Sequence, residues 1–420
     1  MKKRTRYIGA GLGVAAVAAV AVTLVLVLTG TDEAPALPSL GRAGSDSPQA
    51  KALAEPLGRF GFDLLARQAK VAADENIVIS PASIHAAFSM LANGARDETA
   101  DELRRALDVD GLEDAAVDQG WADIITSAQA GKGSKLSIAD SLWLRNGVAF
   151  EQPFLDLNRD YYAAELAELA DDGDQAAAEI NEWVDERTHG KITKLFDSID
   201  PLTLLTLVNT VYLKVGWEYF DEKDTQPAPF TLADGSTVDA DMMHGWMEAP
   251  VVLTDAYDAV LLETDGPVDV WVIVPKGSET PETVVAAFQD QDRGLAGLYE
   301  SAQSLDGDLQ LPRLSLKYTA QQLKETLQAM GIERAFDADL AQLEGIADVK
   351  PLYVSSIVHK ATLDLNEEGV EAAAATGMEV GTTAMPVDTF SIVADRPFLV
   401  ALAESGSQVP LFLSLVRDPS

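Results

Sequence analysis

The spacing of apolar residues predicts that helices dominate the first half of the chain. Between residues 53 and 71 apolar side chains recur every three or four positions, which is typical of one face of a helix. The short apolar run in "ENIVISP" predicts a buried strand that ends at Pro81. Ser80 then begins the next helix, with the proline in its first turn. Helices are predicted over residues 53–71, 82–93, 97–107, 154–170 and 174–188.

The second half of the chain has a different pattern, which predicts strands. The segment "LTLLTLVNTVYLKVGW", residues 202–217, is long, mostly apolar and rich in β-branched residues, as expected of a strand buried on both faces. Because the strands are long and are not separated by regular helices, we expect an α+β fold with large mixed or antiparallel sheets. Other predicted elements are strands at 136–147, 268–274, 308–318, 363–366, 390–393, 398–404 and 409–416, and a helix at 320–330.

The N-terminus differs from the rest of the chain in its pattern. The basic stretch "MKKRTR" is followed by an apolar run to residue 28 that is long enough to span a bilayer. An uncleaved membrane anchor and a cleaved signal peptide both remain open, and the length fits an anchor better. Residues 1–28 are therefore predicted to be a signal peptide or anchor, 29–49 a flexible linker, and 50–420 one domain.

Composition and charge narrow the possible partners. The chain has 420 residues, a net charge of −36 and a pI near 4.3. Such a polyanionic surface disfavours nucleic acid and heparin-like polyanions as partners. The absence of cysteine excludes disulfides, thiol catalysis and thiolate metal sites. No histidine pair has metal-ligand spacing and no phosphate-binding loop occurs, so no metal or cofactor is expected.

The chain contains the residue types of a hydrolase triad: Ser80 or Ser83, His359 and Asp364. Ser80, however, lies in "SPAS", where a strand meets a helix, and not in the G-x-S-x-G turn that exposes a catalytic serine. We therefore do not expect an enzyme.

Five blocks of sequence, in order, resemble those of the serpins. They are "NIVISPASIHAAFSMLANGARDETADELRRAL", "LVNTVYLKVGWEYFD", "LPRLSLKYTAQQLKETLQAMGIERAFD", "IVHKATLDLNEEGVEAAAATG" and "ADRPFLVAL…PLFLSLVRDP". Together they cover residues 50–420. Two departures stand out: Val215 and Gly216 before Trp217, where the family often has a glycine and a second basic residue, and a short acidic stretch at 306–308.

The resemblance implies a serpin fold with about eight or nine helices and an exposed reactive-centre loop. It implies a monomeric inhibitor that offers its loop to a serine protease as a suicide substrate and ends in a covalent complex. After cleavage, the loop inserts as a new strand into the main sheet. A non-inhibitory binding or chaperone protein of the same fold is the alternative.

The segment after residue 366 has the composition that such an insertion needs. It offers a permissive glycine pivot, then small side chains, and no proline before residue 386. The expected hinge residues are Glu367, Gly369, Val370, Glu371, Ala372, Ala373, Ala374 and Ala375.

The bond offered to the protease is expected at Thr383–Ala384, because the family places it about sixteen residues beyond the first hinge acid. A small residue at this point suits the shallow pockets of elastase-like or subtilisin-like proteases. Counting back from Pro397 instead places the cleaved bond near Pro386. The bond is therefore expected within residues 381–386. No lysine or arginine lies between Gly369 and Asp395, which disfavours trypsin-like targets.

The resemblance also implies a group of residues that control where the main sheet opens. They are Ser80, Ser83, Asn209, Trp217 and His359, the polar ones hydrogen-bonded beneath the sheet.

Overall fold

The structure is a computed structural model that describes residues 46–420 except 130–134, 189, 216, 218, 265, 290–293 and 368–388. In these described ranges no helix is both long and apolar enough to cross a membrane. The predicted N-terminal segment lies outside them. The boundary at residue 28 stays a prediction, and the described residues reach only the end of the predicted linker, where the first helix begins at Pro48.

Nine α-helices occur within the described ranges, and most lie in the first half of the chain as expected. Some of their starts follow local chemistry. Ser47 caps the first helix by accepting a hydrogen bond from the Ala50 amide over 3.0 Å, and Pro48 occupies its first turn. The helices are α1 (Pro48–Val71), α2 (Pro81–Gly94), α3 (Asp97–Ala106), α4 (Asp114–Gln129), α5 (Gln152–Tyr162), α6 (Gly173–Arg187), α7 (Pro281–Gln289), α8 (Gly294–Ser301) and α9 (Leu323–Ala329).

The strands form two sheets, and the smaller one has five strands. In spatial order these are β10 (Leu314–Thr319), β11 (Val354–Leu365), β4 (Leu205–Val215), β2 (Lys135–Arg145) and β3 (Glu165–Leu169). The two strands in the middle, β11 and β4, run parallel to each other. Each pairs antiparallel with its other neighbour, β11 with β10 and β4 with β2.

The larger sheet has nine strands and is joined together by its longest member, which pairs with three others. In spatial order they are β1 (Ile77–Ile79), β14 (Pro410–Val416), β13 (Phe398–Glu404), β8 (Val268–Pro275), β7 (Tyr257–Leu262), β6 (Thr237–Leu253), β9 (Gln303–Pro312) and β12 (Thr389–Val393), with β5 (Gln226–Thr231) also on β6. Together the two sheets and the helices confirm the predicted α+β class with mixed sheets.

Helix α2 positions the site that follows, because it is buried between the two sheets. It contacts β14 of the larger sheet and β4 of the smaller one. A Cβ atom at Gly61 of α1 would lie 2.9 Å from the side chain of Pro81, so only glycine allows α1 to pass so close to the first turn of α2. The N-terminus of α2 is thereby fixed beneath β4 and β11.

The prediction of a single helix over residues 154–170 was wrong in its second half. Helix α5 ends where Ala163 takes a left-handed conformation with φ of 52°. The following segment is strand β3, which pairs parallel with β2 from Glu165 onward. Helical propensity favours this sequence, but pairing at the sheet edge outweighs it.

The prediction of one strand over residues 308–318 was also wrong. The segment breaks at Arg313 into β9, which belongs to the larger sheet, and β10, which belongs to the smaller one. Pro312 is the sequence signal for this break, because proline cannot continue a hydrogen-bonded ladder. The chain therefore passes from one sheet to the other at Arg313.

Candidate functional site: the β4–β11 strand pair and the start of the hinge

The smaller sheet carries Asn209 and His359 and is therefore the main sheet of the sequence analysis; its centre is a parallel pair, β4 and β11, paired from end to end. The register runs from Leu205 opposite Val354 to Val215 opposite Leu365, with one irregularity near Ser356. Asn209 and His359 face each other halfway along. Glu367 comes two residues after β11, at the end where the chain enters the predicted hinge.

Four of the predicted control residues meet beneath this pair, and we call them the polar cluster: Ser80, Ser83, Asn209 and His359. The Ser80 amide donates to His359 Nε2 over 3.1 Å. The opposite ring nitrogen, Nδ1, lies 2.5 Å from Asn209 Oδ1, and the Ser83 hydroxyl donates to the same oxygen over 2.8 Å. The cluster thus ties α2 to both parallel strands at once.

These contacts require a neutral imidazole in one tautomer. Nε2 must accept, because its partner is an amide N–H, and Nδ1 must donate, because its partner is a carbonyl oxygen. Burial lowers the pKa of His359 to about 3, which agrees with a neutral ring. A proton added to Nε2 would break the hydrogen bond from Ser80 and bury a charge.

Trp217, the fifth predicted control residue, lies two residues after β4, at the same end of the strand pair as Glu367. Its ring is buried and meets Phe220 edge to face, with ring centroids 5.8 Å apart. The structure places it apart from the polar cluster, at the strand ends.

Glu367, the first hinge residue, is held by a clamp formed with Arg313 and Thr225. Arg313 Nε donates to both carboxylate oxygens, over 2.9 and 2.7 Å, and the Thr225 hydroxyl donates to Oε1. The Glu367 side chain is only 5% exposed, whereas that of Arg313 is 34% exposed. A buried carboxylate is thus neutralised by an arginine that reaches it from the surface.

The clamp also joins the two sheets, because Arg313 lies where β9 passes into β10. Its own amide donates to the carbonyl of Asp241 on β6 over 2.9 Å. Burial alone would raise the pKa of Glu367, but the hydrogen bonds from Arg313 and Thr225 hold that pKa below its ordinary value. Glu367 is therefore ionised at neutral pH and fixed at the start of the hinge.

The rest of the predicted hinge lies outside the described residues. This applies to Gly369, Val370, Glu371, the four alanines at 372–375 and the bond Thr383–Ala384. Their roles stay predictions that rest on the sequence.

The described residues do not assemble the hydrolase triad. His359 Nε2 contacts the backbone of Ser80 and not its hydroxyl. The carboxylate of Asp364 instead accepts from Ser315 and lies 3.3 Å from the Lys191 amine. No group of three or more potential metal ligands occurs in the part of the chain that the structure describes.

Sequence reasoning did not find Arg313 or Thr225. The sequence around Arg313 predicts one continuous strand, and a single arginine within a strand is expected to be exposed to solvent. The adjacent Pro312 would have indicated a chain reversal or transfer at this point, but the partner 54 positions away could come only from the fold.

Comparisons with known proteins agree on one family. The family model described as "Serpin (serine protease inhibitor)" matches residues 55–419. Serpin A3-3 of Bos taurus is 31% identical over 86% of this chain and 88% of its own length; the leukocyte elastase inhibitor of Bos taurus is 33% identical over 86% and 98%. Native tengpin, a thermophilic serpin, has a similar fold, with a TM-score of 0.79 at 24% identity over 88% of this chain and 94% of its own. The chain belongs to the serpin family.

Acidification should destabilise the native protein through His359. Because burial holds the folded pKa near 3, below the ordinary 6.5, the stabilising contribution is complete above pH 6.5 and is lost as the pH falls towards 3. His359→Gln keeps a donor and an acceptor but cannot titrate. Over this window its unfolding free energy should therefore fall less steeply than that of the wild type, by up to about 1.4 kcal/mol per pH unit.

Urea unfolding at intervals between pH 7 and pH 3.5 measures both slopes. His85, another buried histidine whose pKa is lowered to about 4, leaves a residual slope in the variant. Identical slopes in variant and wild type would show that His359 does not lock the strand pair as a neutral ring.

Arg313→Met should loosen the start of the hinge. The variant leaves the Glu367 carboxylate without its charged donor, which should cost on the order of 1–3 kcal/mol, towards the lower end because Arg313 is partly exposed. The loss should be complete above pH 4.5, the ordinary pKa of glutamate, and should shrink as the pH falls through the lower folded pKa.

Arg159→Met is the matched control, because Arg159 forms an exposed ion pair with Asp156. Thermal unfolding at pH 7 should show a clear decrease for Arg313→Met and little change for Arg159→Met. Equal shifts would mean that the clamp contributes no more than a surface pair.

Proposed function

We propose that this protein inhibits serine proteases of the elastase-like or subtilisin-like class by acting as a suicide substrate. The protease attacks the loop between residues 368 and 388, and the cleaved loop then inserts between β4 and β11. The bound protease is carried along before it can hydrolyse the acyl bond.

The observation that carries this proposal is the parallel pairing of β4 with β11 at the centre of the smaller sheet. The chain leaves the end of β11 and enters the loop, so a loop that folds back between the two strands runs antiparallel to both. One parallel ladder is replaced by two antiparallel ladders, which are the more stable kind per residue. Insertion is thus favoured by the existing topology.

The lengths are compatible with complete insertion. Strand β4 has 11 residues and β11 has 12. The 15 residues from Gly369 to Thr383 exceed both and contain no proline, so each can donate its amide to a ladder. Each hydrogen bond gained contributes about 0.5–1.5 kcal/mol net.

The chemistry proposed for the bait, the bond Thr383–Ala384, is ordinary proteolysis that stops at the acyl-enzyme. The protease serine oxygen attacks the carbonyl carbon of Thr383, and the amine of Ala384 leaves with a proton. The new ester holds the protease to Thr383. Once that residue moves with the inserting strand, the ester is displaced across a sheet about 40 Å long, and deacylation by water fails.

The small residues at the bait support the protease class. Thr383, with Thr382 before it, suits a shallow primary pocket, and the absence of a basic residue disfavours trypsin-like enzymes. One relative that is 33% identical carries the name leukocyte elastase inhibitor, which is consistent with this choice.

We also propose that the inhibitor acts outside the cytoplasm, either secreted or held by the segment at 1–28. The basic stretch followed by an apolar run supports this location. Alkaline extraction of membranes from cells that make the full chain tests the anchored form. Release of the protein into the soluble fraction would contradict anchoring.

The inhibitor should form a covalent complex with an elastase-like protease that survives denaturing electrophoresis. Val370→Arg puts a charged, bulky side chain into the strand that must insert, so insertion should become too slow to trap the ester. The variant should then be cleaved as a substrate while keeping the wild-type unfolding midpoint.

Val387→Arg is the matched control, because it adds the same side chain beyond the proposed bond, in the part that does not insert. It should keep the wild-type number of inhibitor molecules consumed per protease inhibited, whereas Val370→Arg should consume many more. Cleaved fragments without any stable complex, across a panel of elastase-like and subtilisin-like proteases, would favour a non-inhibitory serpin.

A further inference from the structure

Three strands at one end of the larger sheet present a continuous exposed face. Across β12, β9 and β6 the register aligns Thr389 with Asp306 and Glu248, then Ser391 with Asp308 and Trp246. The intervening residues of β6 are buried, whereas these point outward. We call the outward-facing side chains of these two rows, together with the adjoining pair His244 and Gln310, the outer face. Its members are His244, Trp246, Glu248, Asp306, Asp308, Gln310, Thr389 and Ser391.

Trp246 is the feature of the outer face that needs an explanation. Its side chain is 57% exposed on a regular strand, although no loop or helix in the described residues covers it. Tryptophan is highly buried on average, and at interfaces it is among the residues that contribute most to binding.

The tryptophan is surrounded by carboxylates. Asp308 lies directly across from it on β9, and Glu248 and Asp306 form the next row. Two of these acids are held in place: Ser304 donates to Glu248 over 2.9 Å, Gln310 donates to Asp308 over 3.5 Å, and His244 Nε2 contacts Asp308. The outer face thus combines one large apolar side chain with fixed negative charge.

The outer face also lies near the proposed bait. Ala384 precedes Thr389, the first residue of β12, by five positions, so chain connectivity keeps the two within about 17 Å. Trp246 lies two strands from β12, about 10 Å away. A folded protease of about 220 residues is roughly 40 Å wide, so one bound at the bait is wide enough to reach this face.

We propose that the outer face is a second docking surface for the target protease, one that selects proteases with basic residues beside the active-site cleft. Trp246 inserts between those residues as the apolar anchor, and the surrounding carboxylates pair with them. This inference rests on the proposed function, and it adds a determinant of specificity that lies outside the loop.

Charge excludes the other candidate occupants of this face. Nucleic acid and anionic lipid would be repelled by the three carboxylates, and a second copy of this chain would bring its own net charge of −36. A cationic protein surface gains both from the acids and from cation–π contact with the indole.

The test measures the association rate constant for two proteases of the same loop specificity, one cationic and one of near-neutral pI. Trp246→Ala should lower the rate constant for the cationic protease by at least about tenfold and should change that for the neutral protease less than twofold. The double variant Glu248→Gln/Asp306→Asn should flatten the dependence of the cationic rate constant on salt. Equal effects of Trp246→Ala on both proteases would overturn the proposal.

Matched controls separate a docking effect from a general one. Leu340→Ala removes another exposed apolar side chain, and Asp110→Asn removes another exposed acid; neither should change the rate constants. Similar rates of cleavage of a free peptide that spans residues 369–387 show that the two proteases share the same loop specificity.

Failure of this inference can be distinguished from failure of the proposed function. If the wild type traps both proteases and Trp246→Ala does so at the wild-type rates, only the docking surface is refuted. If the wild type traps neither of them, nor any other protease of the elastase-like and subtilisin-like panel, the proposed function is refuted. In that case docking can still be tested with the cationic protease whose catalytic serine is replaced by alanine. The dissociation constant of its complex with intact inhibitor should rise about tenfold with Trp246→Ala. An unchanged dissociation constant refutes docking.

Discussion

The behaviour of this molecule depends on two parallel strands, β4 and β11, lying side by side where an antiparallel strand could lie between them. A neutral imidazole holds the pair closed. His359 accepts from α2 and donates to β4, so one ring fixes the helix and both strands. Because these polar groups are buried, any separation of the strands must leave them unpaired until new partners arrive. We therefore propose that the same contacts that stabilise the closed sheet set the barrier to its opening.

The two restraints act at different points along the strand pair. The clamp of Glu367 with Arg313 lies at the end where the loop begins, and the polar cluster lies halfway along. A strand that enters from the loop end meets the clamp first and the cluster later. Arg313 also lies where the chain passes between the sheets, and β12, which follows the loop, belongs to the larger sheet. The two proposals together place protease docking on the larger sheet and strand insertion in the smaller one, and the chain connects these sheets at Arg313.

The α+β class and most long elements could be predicted from the sequence, because periodicity and end signals such as Ser80 with Pro81 are local. The grouping of Ser80, Ser83, Asn209 and His359 followed from resemblance, since nothing local relates residues almost 280 positions apart. Strand β3 was missed because its helical propensity is outweighed by pairing with β2. The long β6 was missed although its alternation of buried and exposed residues is regular. The clamp could not have been predicted, because its partners become neighbours only through the transfer of the chain between sheets.

Thermal unfolding of the protein before and after a single cut in the loop tests the central claim most directly. A non-target protease that cleaves between residues 377 and 386 provides the cut form, and mass spectrometry confirms the bond. The account predicts that the cut form unfolds at a much higher temperature than the intact one, since the freed strand enters between β4 and β11 and completes two antiparallel ladders. An unchanged unfolding temperature would contradict it, because the closed strand pair would then be the stable arrangement and not a metastable one.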